Sequence, residues 1–140
     1  MSFVTTTLRD TVVNAPAAGG IVTVKATFAS DTATNLILDA HSLDGFVNGC
    51  KLDLLRAWWS FSIGNYDTDN SNDCIIEFVS TGTDVVALHL SGTGHYDGSA
   101  GAIPGSATNT TVTSSDITAQ TKTTSGFVIL EFRKDEAYTA

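Results

Sequence analysis

The sequence is short of charged residues, of basic residues in particular, and of long apolar runs. Seven Lys and Arg stand against fifteen Asp and Glu, which gives a net charge of −8. So few cations cannot form the basic surface that phosphate backbones and anionic lipids require, so we expect no direct nucleic-acid binding and no membrane binding. No run reaches the roughly 18 apolar residues of a transmembrane helix. The start at Met1 also lacks the basic and apolar segments of a signal peptide.

Cysteine is scarce, with only Cys50 and Cys74 in the chain. They could pair if the fold brings them together, but without an export signal two buried thiols are favoured. No C-x-x-C or H-x-H spacing predicts a metal site. A chain of 140 residues buries about two-thirds of its unfolded surface. That is enough for one core without disulfide or metal staples, so we expect a single domain over 1–140.

What the chain does contain is threonine-rich, alternating sequence. Charged residues make up 16% of the chain and hydrophobic residues 42%, so much of the polarity comes from hydroxyl and amide groups. Alternation is clearest after Leu54, and a change of parity at Leu54 and Leu55 predicts a β-bulge. A short helix over 51–58 is the competing interpretation. One face of the predicted strand would carry Leu55, Ala57, Trp59, Phe61 and Ile63.

Short alternating runs recur along the whole chain and are separated by turn residues. They predict an all-β fold, an antiparallel β-sandwich of jelly-roll type with about eight strands. Residues 1–10 could form an extended N-terminal arm, and residues 97–111 a long exposed loop. The strong candidate strands are 21–28, 35–40, 55–63, 74–79, 85–90 and 126–134, and the weaker ones are 3–8, 94–96 and 112–118.

Three stretches suggest chemistry but lack its full pattern. The acidic run 67–73 supplies oxygen ligands suited to Ca²⁺, yet Asn72 and Phe78 stand where an EF-hand needs Gly and Glu; a solvated loop is the favoured interpretation. The glycines of 92–98 lack the spacing of a phosphate loop, which favours a turn and a strand. The three histidines come with no nucleophile elbow. We therefore expect no catalytic, cofactor-binding or metal-binding residues, and no enzyme.

Trp58 and Trp59 are adjacent, so in a strand they face opposite sides. The alternation assigns Trp59 to the core and Trp58 to the other face, beside Arg56 and two serines. Aromatic residues and Arg are enriched where proteins anchor their partners. Trp58 could therefore contact a neighbouring subunit or a carbohydrate, or it could pack under a segment of its own chain.

Five segments in order carry a resemblance to a known group of proteins. The segments are K-L-D-L-L-R-A-W-W-S from Lys51, C-I-I-E-F from Cys74, L-H-L-S-G-T-G-H-Y-D from Leu88, I-P-G-S-A-T-N-T from Ile103, and G-F-V-I-L-E-F-R-K from Gly126. They are similar to small virion proteins of tailed phages, particularly marine podovirus-like ones, over roughly the second two-thirds of the chain. The group offers no catalytic residues to transfer.

The resemblance implies a structural role in the virion, after synthesis in the host cytoplasm. A capsid decoration protein is the leading hypothesis, with a head-to-tail connector or tail component as the alternative. The partners would be the major capsid protein or connector proteins, together with further copies of this chain. A carbohydrate-binding module, with Trp58 and Tyr66 or Tyr96 as its platform, is the hypothesis from another class. Candidate partner contacts are Phe3, Val4, Arg56, Trp58, Tyr96, Ile103 and Pro104.

Overall fold

The computed structural model describes residues 2–11, 20–31, 34–39, 42–43, 52–61, 74–79, 85–103, 116–121 and 124–134. These residues form two antiparallel sheets. The acidic run 67–73, His41, Cys50, Tyr66 and Pro104 lie outside the described residues, as do residues 104–111 of the predicted loop. In chain order the strands are β1 (Ser2–Asp10), β2 (Gly20–Asp31), β3 (Thr34–Leu38), β4 (Leu52–Phe61), β5 (Cys74–Phe78), β6 (Val85–Leu90), β7 (Thr93–Tyr96), β8 (Ile117–Thr121) and β9 (Thr124–Lys134).

The strand order is that of a jelly roll. One sheet runs β1-β2-β9-β4-β7 and the other runs β3-β8-β5-β6. The pairs β2–β9, β3–β8, β4–β7 and β5–β6 are nested one inside the next, as if a single long hairpin had been rolled up into two Greek keys. The predicted antiparallel sandwich of jelly-roll type is therefore confirmed. The strand beyond the eight of the roll is β1, which extends the first sheet.

The core lies between the two sheets and follows the period-2 alternation of their strands. Alternate residues of each central strand are buried, and the residues between them face outward. The buried side chains include Val22, Val24, Ala26 and Phe28 of β2, Val128, Leu130 and Phe132 of β9, and Cys74, Ile76 and Phe78 of β5. These apolar side chains form one continuous cluster, which is what a single-domain prediction requires of the core.

Two of the β-bulges change which residues of their strands face the core. In β4 the register shifts between Leu54 and Arg56, so the predicted bulge is present and the strand, not the helix, is formed. Leu55 is the additional residue. In β5–β6 a second shift places Val86 opposite Glu77. Strict alternation along 85–90 predicts that Val86, Leu88 and Leu90 all face inward, but Val86 is 54% exposed because this bulge reverses the alternation.

The N-terminal segment, for which an extended arm was one possibility, pairs with its own domain as β1. It runs antiparallel to β2 from Ser2 to Asp10. At its end Lys134, fully buried, donates to Asp10 Oδ1 across the intervening strand. Burying the charged ammonium of a lysine costs several kcal/mol unless a carboxylate pairs with it. This ion pair fastens β1 to β9.

Candidate functional site: the outer face of the five-stranded sheet

The outward side of the sheet β1-β2-β9-β4-β7 is organised in rows that cross the strands. Residues directly opposite each other on paired strands lie on the same face. One row runs Thr6, Lys25, Ile129, Trp58 and His95, one residue from each strand. The row on one side is Val4, Thr27, Phe127, Ser60 and Thr93, and the row on the other is Arg9, Thr23, Glu131 and Arg56.

Trp58 is near the middle of this face and is 38% exposed. Ile129 is its cross-strand neighbour on β9 and His95 its neighbour on β7. Phe127 lies one row away, and the Lys25 ammonium is 5.9 Å from the centroid of its ring. That distance permits a cation–π interaction worth about 0.5–1 kcal/mol at a surface. The three apolar side chains are thus neighbours in the strand registers and form an apolar patch that none of the strands in the described residues covers.

Charged pairs border the patch on one side. Arg56 donates to Glu131, and Arg133 Nη2 lies 2.8 Å from Asp53 Oδ2. Both pairs join β4 to β9. The arginines are about half exposed, so each pair adds at most about 1 kcal/mol to stability. Their main effect on the face is to fix the positions of the two arginines and to neutralise the two carboxylates.

The structure places three of the candidate contact residues together on this face: Val4, Arg56 and Trp58. Three others face the opposite way, because their neighbours across the sheet are buried core residues. Phe3 packs on Phe28 with ring centroids 5.3 Å apart. Ile103 bridges to Leu54, and Tyr96 lies opposite Ala57. Trp58 and Tyr96 therefore do not share a platform.

Trp59 faces the core side, as the alternation predicted. It packs against the hydrophobic cluster, and its indole Nε1–H donates to the carbonyl of Ser91 at 3.1 Å. An indole N–H on a partly buried ring usually finds such an acceptor. Adjacent residues of a strand point to opposite faces, so the fixed position of Trp59 on the core side places Trp58 on the outer face.

The segment after β7 forms a tight turn next to the face. The Tyr96 hydroxyl donates to the carbonyl of Gly101. The amide of Ser99 donates to Asp97 Oδ1 at 2.9 Å and holds the pKa of that carboxyl below its ordinary value, aided by the Ser99 hydroxyl and, to a smaller extent, by the charge of His95. His95 therefore acts on Asp97 through its charge, while the hydrogen bonds to the Asp97 carboxyl come from Ser99. The stretch is a turn and a strand, as predicted.

Described ionisable side chains of this face form ion pairs between strands. Within these residues, no group of three or more His, Cys, Asp or Glu side chains is placed to hold a metal ion. His89 and His95 are exposed on different sheets. Nor does any described helix have the length and hydropathy needed to cross a bilayer.

Sequence reasoning found Trp58 but missed Lys25, Phe127 and Ile129 as its companions on the face. Each lies in an alternating strand, so its outward direction could be inferred, but its position beside Trp58 depends on pairing between strands far apart in the chain. No family model, curated protein or solved structure matches this chain.

Proposed function

We propose that this protein is a non-enzymatic structural component of a tailed-phage particle, and that it decorates the capsid lattice. The observation that carries the proposal is the outer face of the five-stranded sheet, where an apolar patch centred on Trp58 is bordered by ordered ion pairs. An apolar centre with a polar rim is the usual anatomy of a protein–protein interface. Jelly rolls also occur as capsid building blocks.

The rigidity of this face supports the same function. Trp58, Ile129 and Phe127 project from the central strands of a closed sandwich, whose core fixes their spacing. A contact surface that does not have to order itself on binding loses little conformational entropy. This suits a protein that must attach in the same way at many equivalent lattice positions. The resemblance of the sequence to phage virion proteins points to the particle as that lattice.

Quantitative mass spectrometry of purified particles tests this proposal. The copy number of this chain is measured relative to the major capsid protein. Hundreds of copies per particle are expected of a decoration protein, whereas about a dozen would indicate a ring at the connector or tail. Absence from the particle would overturn the virion function. Particles made with Trp58→Ala should lose the chain, and those with Val86→Ala, which alters the other sheet, should retain it.

A carbohydrate-binding module is the second candidate, because Trp58 is flanked by side chains that can hydrogen-bond to sugars. Ser60, Thr93 and His95 lie on the same face, and the hydroxyls of Ser60 and Thr93 are 2.9 Å apart. Aromatic rings offer the flat apolar surface that a pyranose stacks on. Glycan-array binding that is lost in Trp58→Ala would favour this function, while no binding at millimolar sugar would exclude it.

A further inference from the structure

We propose that two copies of this chain associate through β1, whose open edges pair antiparallel across a twofold axis and join the two five-stranded sheets into one. The inference concerns self-association and does not depend on the virion function. The same strand forms both sides of the contact, so the whole contact lies among the described residues.

β1 is the longest open edge in the described part of the chain. The edge strands of the two sheets are β1, β7, β3 and β6, and they have 9, 4, 5 and 6 residues. β1 pairs with β2 on one side, and no described strand pairs with its other side. Alternate residues of such a strand direct their backbone N–H and C=O groups away from the sheet, where a further strand can bind them.

The residues of β1 do not block this edge. Proteins commonly protect an open edge with charged residues, with proline or with a bulge. Between Ser2 and Leu8 there is no charged residue and no proline, and the register shift of β1 comes only after Thr7. Two large apolar side chains of the strand, Val4 and Leu8, are 57% and 54% exposed. The edge therefore combines open hydrogen-bonding groups with apolar side chains that a second strand would cover.

The smaller sheet does not extend beneath β1, so it does not obstruct a second copy. Thr7 and Thr5 lie opposite Val24 and Ala26 of β2. The two β2 residues are fully buried, whereas both threonines are exposed. The four-stranded sheet thus covers β2 and ends before β1, which leaves β1 as an overhanging edge that another sheet can approach.

Both ends of β1 are fixed to its own domain. Phe3 packs on Phe28 at one end, and Asp10 accepts from the buried Lys134 at the other. The strand is therefore in position before a second copy arrives, and pairing costs little conformational entropy. The same contacts keep β1 in its own sheet, so we expect the copies to pair edge to edge without exchanging strands.

The sequence of β1 fits a second β1 in one particular register. When the twofold axis passes through Thr6, the strand overlaps its copy over the full range Ser2–Asp10. The same register places Val4 opposite Leu8 of the second copy, because each lies two residues from Thr6. The charged residues stand at one end of the strand only, so they face the uncharged start of the other copy. Apolar cross-strand pairs stabilise a sheet, and like charges placed opposite each other would destabilise it.

Sedimentation velocity of the full chain from micromolar to millimolar concentrations tests the association. An edge contact is smaller than a standard interface, so we expect a weak equilibrium between monomer and dimer. Val4→Lys should raise the dissociation constant about tenfold or more, because it removes an apolar pair on each side of the axis and places charge on the edge. Val86→Lys is the matched control: Val86 is 54% exposed on β6, an edge strand of the other sheet, and its substitution should leave the dissociation constant unchanged.

Cysteine cross-linking tests the register. Thr6→Cys should form a disulfide-linked dimer on oxidation, because the axis brings the two Cβ atoms within about 5.5 Å of each other. Val4→Cys and Leu8→Cys should cross-link only when the two variants are mixed, since two copies of residue 4 would lie about 13 Å apart along the strands, beyond the reach of a disulfide. Thr93→Cys, exposed on β7 at the opposite edge of the same sheet, measures chance collisions, and the wild type measures the native cysteines.

Four results would overturn the proposal. They are a monomer at all concentrations, equal weakening by Val4→Lys and Val86→Lys, an oligomer larger than a dimer, and a dimer in which Thr6→Cys cross-links no better than Thr93→Cys. The last result would also be expected of copies that exchange β1. None of these results decides the virion function, which is measured separately by the copy number in particles.

Discussion

Substituting Gly126 by alanine should destabilise the domain because the residue is constrained in two ways. Its φ is +138°, a region that is essentially restricted to glycine and costs another residue about 1–3 kcal/mol. A Cβ there would also overlap the carbonyl oxygen of Ser60 and lie 2.8 Å from the Cα of Phe61. Both atoms belong to β4, so β9 would have to move away from its partner, at an overpacking cost of about 1–3 kcal/mol.

The two costs together amount to about 4 kcal/mol, which should lower the melting temperature by roughly 10 °C or more in a domain of this size. Urea and thermal unfolding followed by circular dichroism measure the loss. Gly92→Ala is the control, because Gly92 also has a positive φ, +61°, but no atom lies within 4 Å of its Cβ position. It should cost only about 1–2 kcal/mol, the cost of a left-handed backbone conformation. Equal losses in the two variants would refute the argument from close strand packing.

Three further predictions concern single side chains. Trp59→Ala should cost about 3–5 kcal/mol in urea unfolding, as for a core aromatic, whereas Trp58→Ala should cost less than about 1 kcal/mol in the monomer; comparable losses would contradict their assignment to opposite faces. Asp10→Ala should cost more than Asp53→Ala because Asp10 pairs with the fully buried Lys134: breaking a buried ion pair costs about 3–5 kcal/mol, against at most about 1 kcal/mol for a pair at the surface; a larger effect at Asp53 would contradict this ranking. Asp97 should titrate below the ordinary pKa of aspartate in an NMR pH series. Since its folded pKa is lowered, its stabilising effect is present above the unfolded pKa and is lost as the pH falls through the folded one; an ordinary midpoint would contradict the amide hydrogen bond.

Much of the fold could be predicted because the alternation within a strand shows which of its side chains face the core. The alternation from Ala57 to Phe61 separates the two tryptophans without any knowledge of the partner strands. The change of parity at Leu54 and Leu55 is visible in the sequence and predicts the bulge that the structure has there. Val86 shows the limit of this reasoning, since nothing in its own strand signals that the bulge between β5 and β6 turns it outward.

The composition of the candidate site could be predicted only in part. Trp58, Arg56 and Val4 each have an outward direction that their own strands indicate. Their arrangement into rows depends on the registers of β1–β2, β2–β9 and β4–β9, which join segments of the chain as much as about a hundred residues apart. Register is determined by the packed core and not by any local motif. For the same reason Tyr96 could not be separated from Trp58 in advance.

The nested pairing of the strands has a consequence for how the chain folds. Its innermost hairpin, β5–β6, can close locally, but the central strand of the larger sheet is β9, the last of the nine strands in chain order. Until β9 inserts between β2 and β4, each of those two strands has one edge without a hydrogen-bonded neighbour. Topologies dominated by such distant contacts fold in milliseconds to seconds. The five-stranded sheet therefore cannot be completed before β9 has been synthesised, because β9 joins its two halves.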